Sequence, residues 1–316
     1  MMRMTFSKLV AMFRRPTLII LALATVIAGC GEAEGGDGGE RIGVVSTTTQ
    51  VADMARNVGG DRVEVTSLLA PGADPHDYEV RPADVEALSR ARAVLRSGGE
   101  LDEWLGEAIE GSGTDAPTVD LGERLPAGAN PDPHWWHDPR NAERAVEAIR
   151  DALSAADPDG EGAYARNARA YLDELESLDA AVRNCMQRVP AEQRKLVTTH
   201  DALAHYAERY DIEVVGTVIP SSSTAGQPSA GDTRDLVETI EREDVKAIFT
   251  ESSVNPKVEK AIADETGATI GTPLWADTLG PEGSSGDTYI GSIAANTRAL
   301  VDGFTGGAVD CRLPAA

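Results

Sequence analysis

A two-part α/β architecture, with each part a parallel sheet flanked by helices, is what the sequence predicts. Three observations carry it. Strand-type and helix-type runs alternate from Arg41, the same alternation resumes at Lys195, and one long helical stretch separates the two. In the first part, Ile42 to Ser46 is a short apolar β-type run and Thr49 to Val58 a helix stopped by Gly59-Gly60. Val63 to Leu69 is a strand that ends at Pro71-Gly72. Arg81 to Ala91 is helical with Pro82 near its start, Ala93 to Arg96 a strand, Leu101 to Ile109 a helix, and Pro117 to Leu121 a short strand.

In the second part, Lys195 to Thr199, Glu213 to Val218, Ala247 to Thr250 and Thr269 to Leu274 read as strands. Ala202 to Tyr210, Thr233 to Glu243 (with Asp232 as its N-cap), Pro256 to Gly267 and Asp287 to Phe304 read as the helices between and after them. The middle holds Asn141 to Ala155, a break at Asp157-Pro158-Asp159-Gly160, and then Glu161 to Arg188, ended by Pro190. Tyr164, Ala168, Tyr171, Leu172, Leu175, Leu178, Val182 and Met186 recur there at helical spacing. Such a helix runs about 42 Å at about 1.5 Å per residue, long enough to span both parts.

The first 40 residues differ. Arg3, Lys8, Arg14 and Arg15 precede the apolar run Thr17 to Ala28, which is too short for a comfortable membrane span and suits a signal peptide. The run ends in Ile27-Ala28-Gly29-Cys30, which resembles the bacterial lipobox, so Cys30 is expected to be lipidated; an ordinary cleaved signal is the alternative. Gly31 to Glu40 has nothing to bury and reads as a flexible tether. The expected organisation is a leader over 1–30, a tether over 31–40, lobes over 41–157 and 191–316, and a linking helix over 158–190. With Cys30 set aside, Cys185 and Cys311 remain, and two cysteines in an exported chain suggest one disulfide, with two buried thiols as the alternative.

The formal charge is −23, from 52 acidic and 29 basic residues, which argues against nucleic acid as a partner because phosphate binding needs clustered Lys and Arg. The chain has five histidines: His76, His134, His137, His200 and His205. His76 and His200 follow strands in opposite halves, and Asp277 follows another strand of the second half. Ligands gather at the C-terminal ends of strands in α/β sheets, and imidazole with carboxylate suits borderline divalent cations. Spacing alone leaves a metal site and ordinary structural histidines both open.

The segments PGADPHDYEVRPADVEALSRARAVLRSGGELDEWL, DPHWWHDP, DGEGAYARNARAYLDELESLDAAVRNCMQRVP, LVTTHDALAHYAERY, FTESSVNPK and LWADTLG give the chain a specific likeness. From about Arg41 to about Phe304 it resembles the zinc/manganese group of ABC-transporter solute-binding proteins. The resemblance implies two α/β lobes joined by one rigid helix, with the metal in the cleft between them. It also implies a monomer that serves a membrane permease and its ATPase. Carried over residue by residue, the implied ligands are His76, His134, His200 and Asp277. The family pattern has an aliphatic residue where His137 stands, so His134 is expected to be the ligand, with His137 behind it, a weak extra ligand or a surface residue; His205 is expected to pack or to support the site, and Glu251 to orient a ligand histidine. Three His and one Asp favour zinc over manganese, although the His-rich loop of many zinc-type members is replaced here by ERLPAGANPDP. Four protein ligands leave no open coordination position, so the expectation is a binding protein and not an enzyme. The alternatives are a metal-dependent hydrolase with Glu251 as base, for which no HExxH motif is present, and an adhesin or metal chaperone on the same fold.

Overall fold

In the computed structural model, residues 41–126 and 131–313 are described. The leader, Cys30 and the tether lie outside them. The first sheet is four-stranded and parallel, in the order β2 (Val63–Ser67), β1 (Ile42–Ser46), β3 (Ala93–Arg96), β4 (Thr118–Asp120). Val44 stands opposite Val65 on one side and Ala93 on the other, which puts β1 at the centre. Parallel neighbours need crossover connections. They are supplied by α1 (Thr49–Gly59), α2 (Pro82–Arg90) and α3 (Leu105–Ser112).

The second half repeats this order. β5 (Lys195–Thr198) pairs in parallel with β6 (Glu213–Thr217), and β7 (Ala247–Ile248) with β8 (Thr269–Ile270). A parallel bridge between Thr198 and Phe249 joins the two pairs, giving β6-β5-β7-β8. The helices α6 (Ala204–Tyr210), α7 (Ala230–Glu243) and α8 (Lys257–Thr266) make the crossovers, and α9 (Tyr289–Thr305) closes the fold. In both halves the strand order reverses direction beside the first strand, the kind of position where open α/β sheets bind ligands.

Several elements differ from the sequence expectation, each for a local reason. The strand expected through Leu274 stops at Ile270, because Pro273 has no N–H to give a ladder, and pairing returns only as a bridge between Glu251 and Leu274. The expected helix from Leu101 begins instead as a 3₁₀ turn over Gly99–Asp102. The buried Asp102 carboxylate is held there by the Thr47 hydroxyl at 2.8 Å and the Gly98 N–H at 3.1 Å. Asp232 is not the N-cap of α7. Ser229 is: its hydroxyl accepts the Asp232 N–H at 3.1 Å while the Asp232 carboxylate accepts the Ser229 N–H at 2.8 Å, a capping box.

Between the halves run α4 (Pro139–Ala156) and α5 (Glu161–Met186), the latter 26 residues long. The apolar stripe of α5 is buried from Tyr164 to Met186 and packs on α4, α1 and α9. One continuous core takes Val44 and Leu95 from the first half, Phe249 and Leu274 from the second, and Tyr171 and Leu175 from α5. α5 is therefore a packed spine as well as a connection.

Cys185, near the end of α5, is joined to Cys311 by a disulfide that closes a sequence separation of 126 residues. A loop this long loses much unfolded-state entropy. The Cys185→Ser/Cys311→Ser protein is expected to be less stable by about 2–4 kcal/mol, read from urea unfolding. An unchanged midpoint would mean that packing alone holds the tail.

Candidate metal centre

The same triplet, Asp-Pro-His, occurs twice, and both copies fold the same way. Asp74 Oδ1 accepts the His76 backbone N–H at 2.9 Å, and Asp132 Oδ1 accepts that of His134 at 3.0 Å. The intervening proline fixes φ and has no donor to compete for the carboxylate. Each triplet thus makes a tight turn that aims its imidazole. His76 is carried by the turn Pro75–Asp77 beyond β2, and His134 by the loop beyond β4. His200 stands just past β5, where the Thr198 hydroxyl donates to its carbonyl at 2.8 Å.

These imidazoles converge with Asp277: one donor atom from each of His76, His134, His200 and Asp277 lies within 4.8 Å of the others. His134 Nε2 is 3.4 Å from both His76 Nε2 and His200 Nε2. Asp277 Oδ2 is 3.4 Å from His76 Nε2 and His200 Nε2, and Oδ1 is 3.3 Å from His134 Nε2. The side chains of His134, His200 and Asp277 are fully buried, and that of His76 keeps 7% exposure, so the cluster meets solvent on the His76 side. Neither Asp277 oxygen has an aligned hydrogen-bond donor, a costly state for a buried carboxylate unless a cation answers it.

The family model described as zinc-uptake complex component A, periplasmic, matches residues 44–303. The chain belongs to this family. It is 31% identical to the manganese-binding lipoprotein MntA of Halalkalibacterium halodurans over 92% of this chain and 98% of that one. With the iron-binding protein YfeA of Yersinia pestis it shares 34% identity over 90% of this chain and 94% of that one. The solved structure of the periplasmic zinc-binding protein TroA of Treponema pallidum superposes with a TM-score of 0.78 at 32% identity, covering 84% of this chain and 99% of that one.

For a member of this family, what stands behind each imidazole matters as much as the donors. His134 Nδ1 lies 2.6 Å from Asp132 Oδ1. Burial opposes ionisation of Asp132, but the His134 hydrogen bond and charge outweigh it and hold the carboxyl below its usual range. Nδ1 is therefore the donor, and the Nε2 lone pair faces the cluster. Glu251 does the same for His200, accepting from Nδ1 at 2.7 Å and from the backbone N–H at 3.1 Å. Burial opposes the charged form of His200, yet Asp277 and Glu251 prevail and raise it to about 9. Burial likewise opposes ionisation of Asp277, and the charges of His200 and His134 overcome it, keeping this carboxyl well below the ordinary range.

The two remaining histidines separate clearly. His205 does not join the cluster. Its Nε2–H donates to the Asp132 carbonyl at 2.9 Å, while the Asn141 amide donates to Nδ1 at 3.5 Å, so it steadies the turn that aims His134. His137 is also outside the cluster, with its ring buried and both nitrogens without a hydrogen-bond partner. Burial first, and the nearby His134 second, push it down to about 3, so it is a neutral ring across the physiological range.

Three residues of the site escaped the sequence reading. Asp132 is one, although its place two residues before His134 mirrors Asp74 before His76. The others are Trp135, whose indole donates to the Ser97 carbonyl at 2.9 Å, and Trp136, whose indole donates to the Ala276 carbonyl at 3.0 Å. The pair ties the His134 loop to the end of β3 and to the segment carrying Asp277. Asp132→Ala leaves the His134 ring unaimed and is expected to weaken metal binding about 10–100-fold in a chelator competition.

Proposed function

We propose that the protein is the extracytoplasmic solute-binding component of an ABC importer, one that captures a divalent metal ion and delivers it to a membrane permease and its ATPase. The ligands in this reading are His76, His134, His200 and Asp277, and the ion is the cargo. The observation that carries it is the donor spacing. Atoms about 2.0–2.1 Å from a common centre in a tetrahedron stand about 3.3–3.4 Å apart; here His134 stands at 3.3–3.4 Å from His76, His200 and an Asp277 oxygen, the other Asp277 oxygen at 3.4 Å from His76 and His200, and one donor from each residue lies within 4.8 Å of the rest. Three imidazoles and a carboxylate at that spacing favour zinc. A second reading, manganese, has its own support. Both oxygens of Asp277 face the imidazoles, so the carboxylate can turn bidentate and enlarge the shell for a harder cation. A hydrolytic role would need an open position and a free base, but Glu251 is already committed to His200.

In this reading 41–157 and 191–316 are the lobes, 158–190 is the linking helix, and residues 1–40 are a leader and tether with a lipid on Cys30 that holds a monomer at the outer face of the cell membrane. The test is elemental analysis of natively purified protein beside single variants. About one equivalent of metal is expected in the wild type and in His137→Ala, and little in His76→Ala or His134→Ala. Loss confined to His137→Ala would overturn the ligand set.

A further inference from the structure

We propose that Thr224 is a positioning residue that latches the His76 loop over the metal and sets the rate at which metal leaves. The proposal rests on the ligand reading above. The two Asp-Pro-His turns differ in what the second carboxylate interaction does. In one turn Asp132 takes the ring Nδ1–H of its own histidine. In the other, Asp74 Oδ1 takes the His76 backbone N–H at 2.9 Å, and its Oδ2 accepts the Thr224 hydroxyl at 2.6 Å, 150 residues away in sequence. Thr224 lies in the loop between β6 and α7.

That loop is registered to the His200 side of the site. Ile219 N–H donates to the Thr199 carbonyl at 2.7 Å, and Asp201 N–H to the Ser221 carbonyl at 3.0 Å. The Thr224–Asp74 bond therefore connects the strand end carrying His200 to the turn carrying His76. On its other flank the His76 loop is held through the Gly72 N–H, which lies 3.0 Å from both the Leu279 carbonyl and Thr278 Oγ1, beside Asp277. One flank of the loop is thus held through its own main-chain N–H, shared between a carbonyl and the Thr278 hydroxyl, and the other by the Thr224 hydroxyl on the Asp74 side chain.

His76 is the one ligand of the four with solvent exposure, so a metal can leave by surrendering His76 first. For that the His76 turn has to swing outward, and swinging outward breaks the Thr224–Asp74 bond. A hydrogen bond to a charged group is among the stronger side-chain bonds, and its loss acts on the off-rate more than on the on-rate.

The test is release of zinc from the purified, zinc-loaded protein into excess chelator, followed by stopped flow. Thr224→Val keeps the shape and removes the hydroxyl. It is expected to release zinc roughly tenfold faster at unchanged stoichiometry, and Thr224→Ser, which restores a hydroxyl, to return the rate toward wild type. Native release from Thr224→Val, or release from Thr224→Ser as fast as from Thr224→Val, would overturn the latch. Wild-type protein that holds no zinc or manganese at all would instead sink the ligand reading, and the latch with it.

Discussion

Asp277→Ala is expected to lose zinc affinity by roughly 10²- to 10³-fold. Asp277 is the one carboxylate among the four converging side chains. It is fully buried, and its oxygens face three imidazoles without any other donor aligned on them. Removing it leaves a dication among neutral rings in a site with little water to screen it. Truncating one partner of a buried charge pair costs about 3–5 kcal/mol, and each about 1.4 kcal/mol is a factor of ten in Kd. The same change acts on the free protein. Asp277 is the leading influence that raises His200, so in the variant His200 gives up its proton at lower pH. That second effect favours metal binding and partly offsets the first, which makes the expected loss smaller than the Coulomb energy alone suggests. Competition against a chromophoric chelator measures the affinity, and NMR titration of His200 measures the proton. Near-native affinity in Asp277→Ala would remove the carboxylate from the metal shell.

The parts of this site differ in how far sequence could reach them. The strand-helix alternation was readable because its periods are local: β1, α1 and β3 stand within a residue of where hydrophobic spacing and the Gly59-Gly60 and Gly98-Gly99 stops put them. Element ends set by side-chain traffic were not readable. Asp102 is drawn into the end of the first sheet by Thr47, and Ser229 outcompetes Asp232 as the cap of α7; both are decided by which acceptor reaches which N–H. The convergence of His76, His134, His200 and Asp277 came from resemblance, since nothing in their spacing requires four strand ends to meet. His134 and His137, three residues apart, could not be told apart by periodicity. What separates them is the Asp132 turn, which orients one ring and leaves the other buried without a partner. The carboxylates behind the rings are a matter of geometry, and only Glu251, at a strand end, could be proposed from sequence.

Zinc affinity is expected to fall about 100-fold from pH 7.5 to pH 5.5. His200 ordinarily titrates near 6.5 and is raised to about 9 in the free protein. Its Nδ1–H is engaged by Glu251, so in the proposed site the proton that leaves on binding is the one on Nε2, which faces the other three side chains. Free protein holds this proton throughout the window and the complex does not; lowering pH therefore favours the free state. One displaced proton costs tenfold per pH unit, and two units give the expected factor. Asp277 stays ionised and His137, at about 3, stays neutral across the same window, so neither cancels the effect. Calorimetric titration at the two pH values, in buffers of different ionisation enthalpy, reads both the affinity and the proton released; equal affinities would contradict the site. The stability of the free protein runs the opposite way. Because its folded value is raised, the His200 interaction stabilises the free protein fully below about 6.5 and fades as pH rises through about 9. Metal displaces that proton when it binds, and it does so against less competition at the higher pH. The rise in Tm on adding saturating zinc should therefore be small at pH 5.5 and larger at pH 7.5.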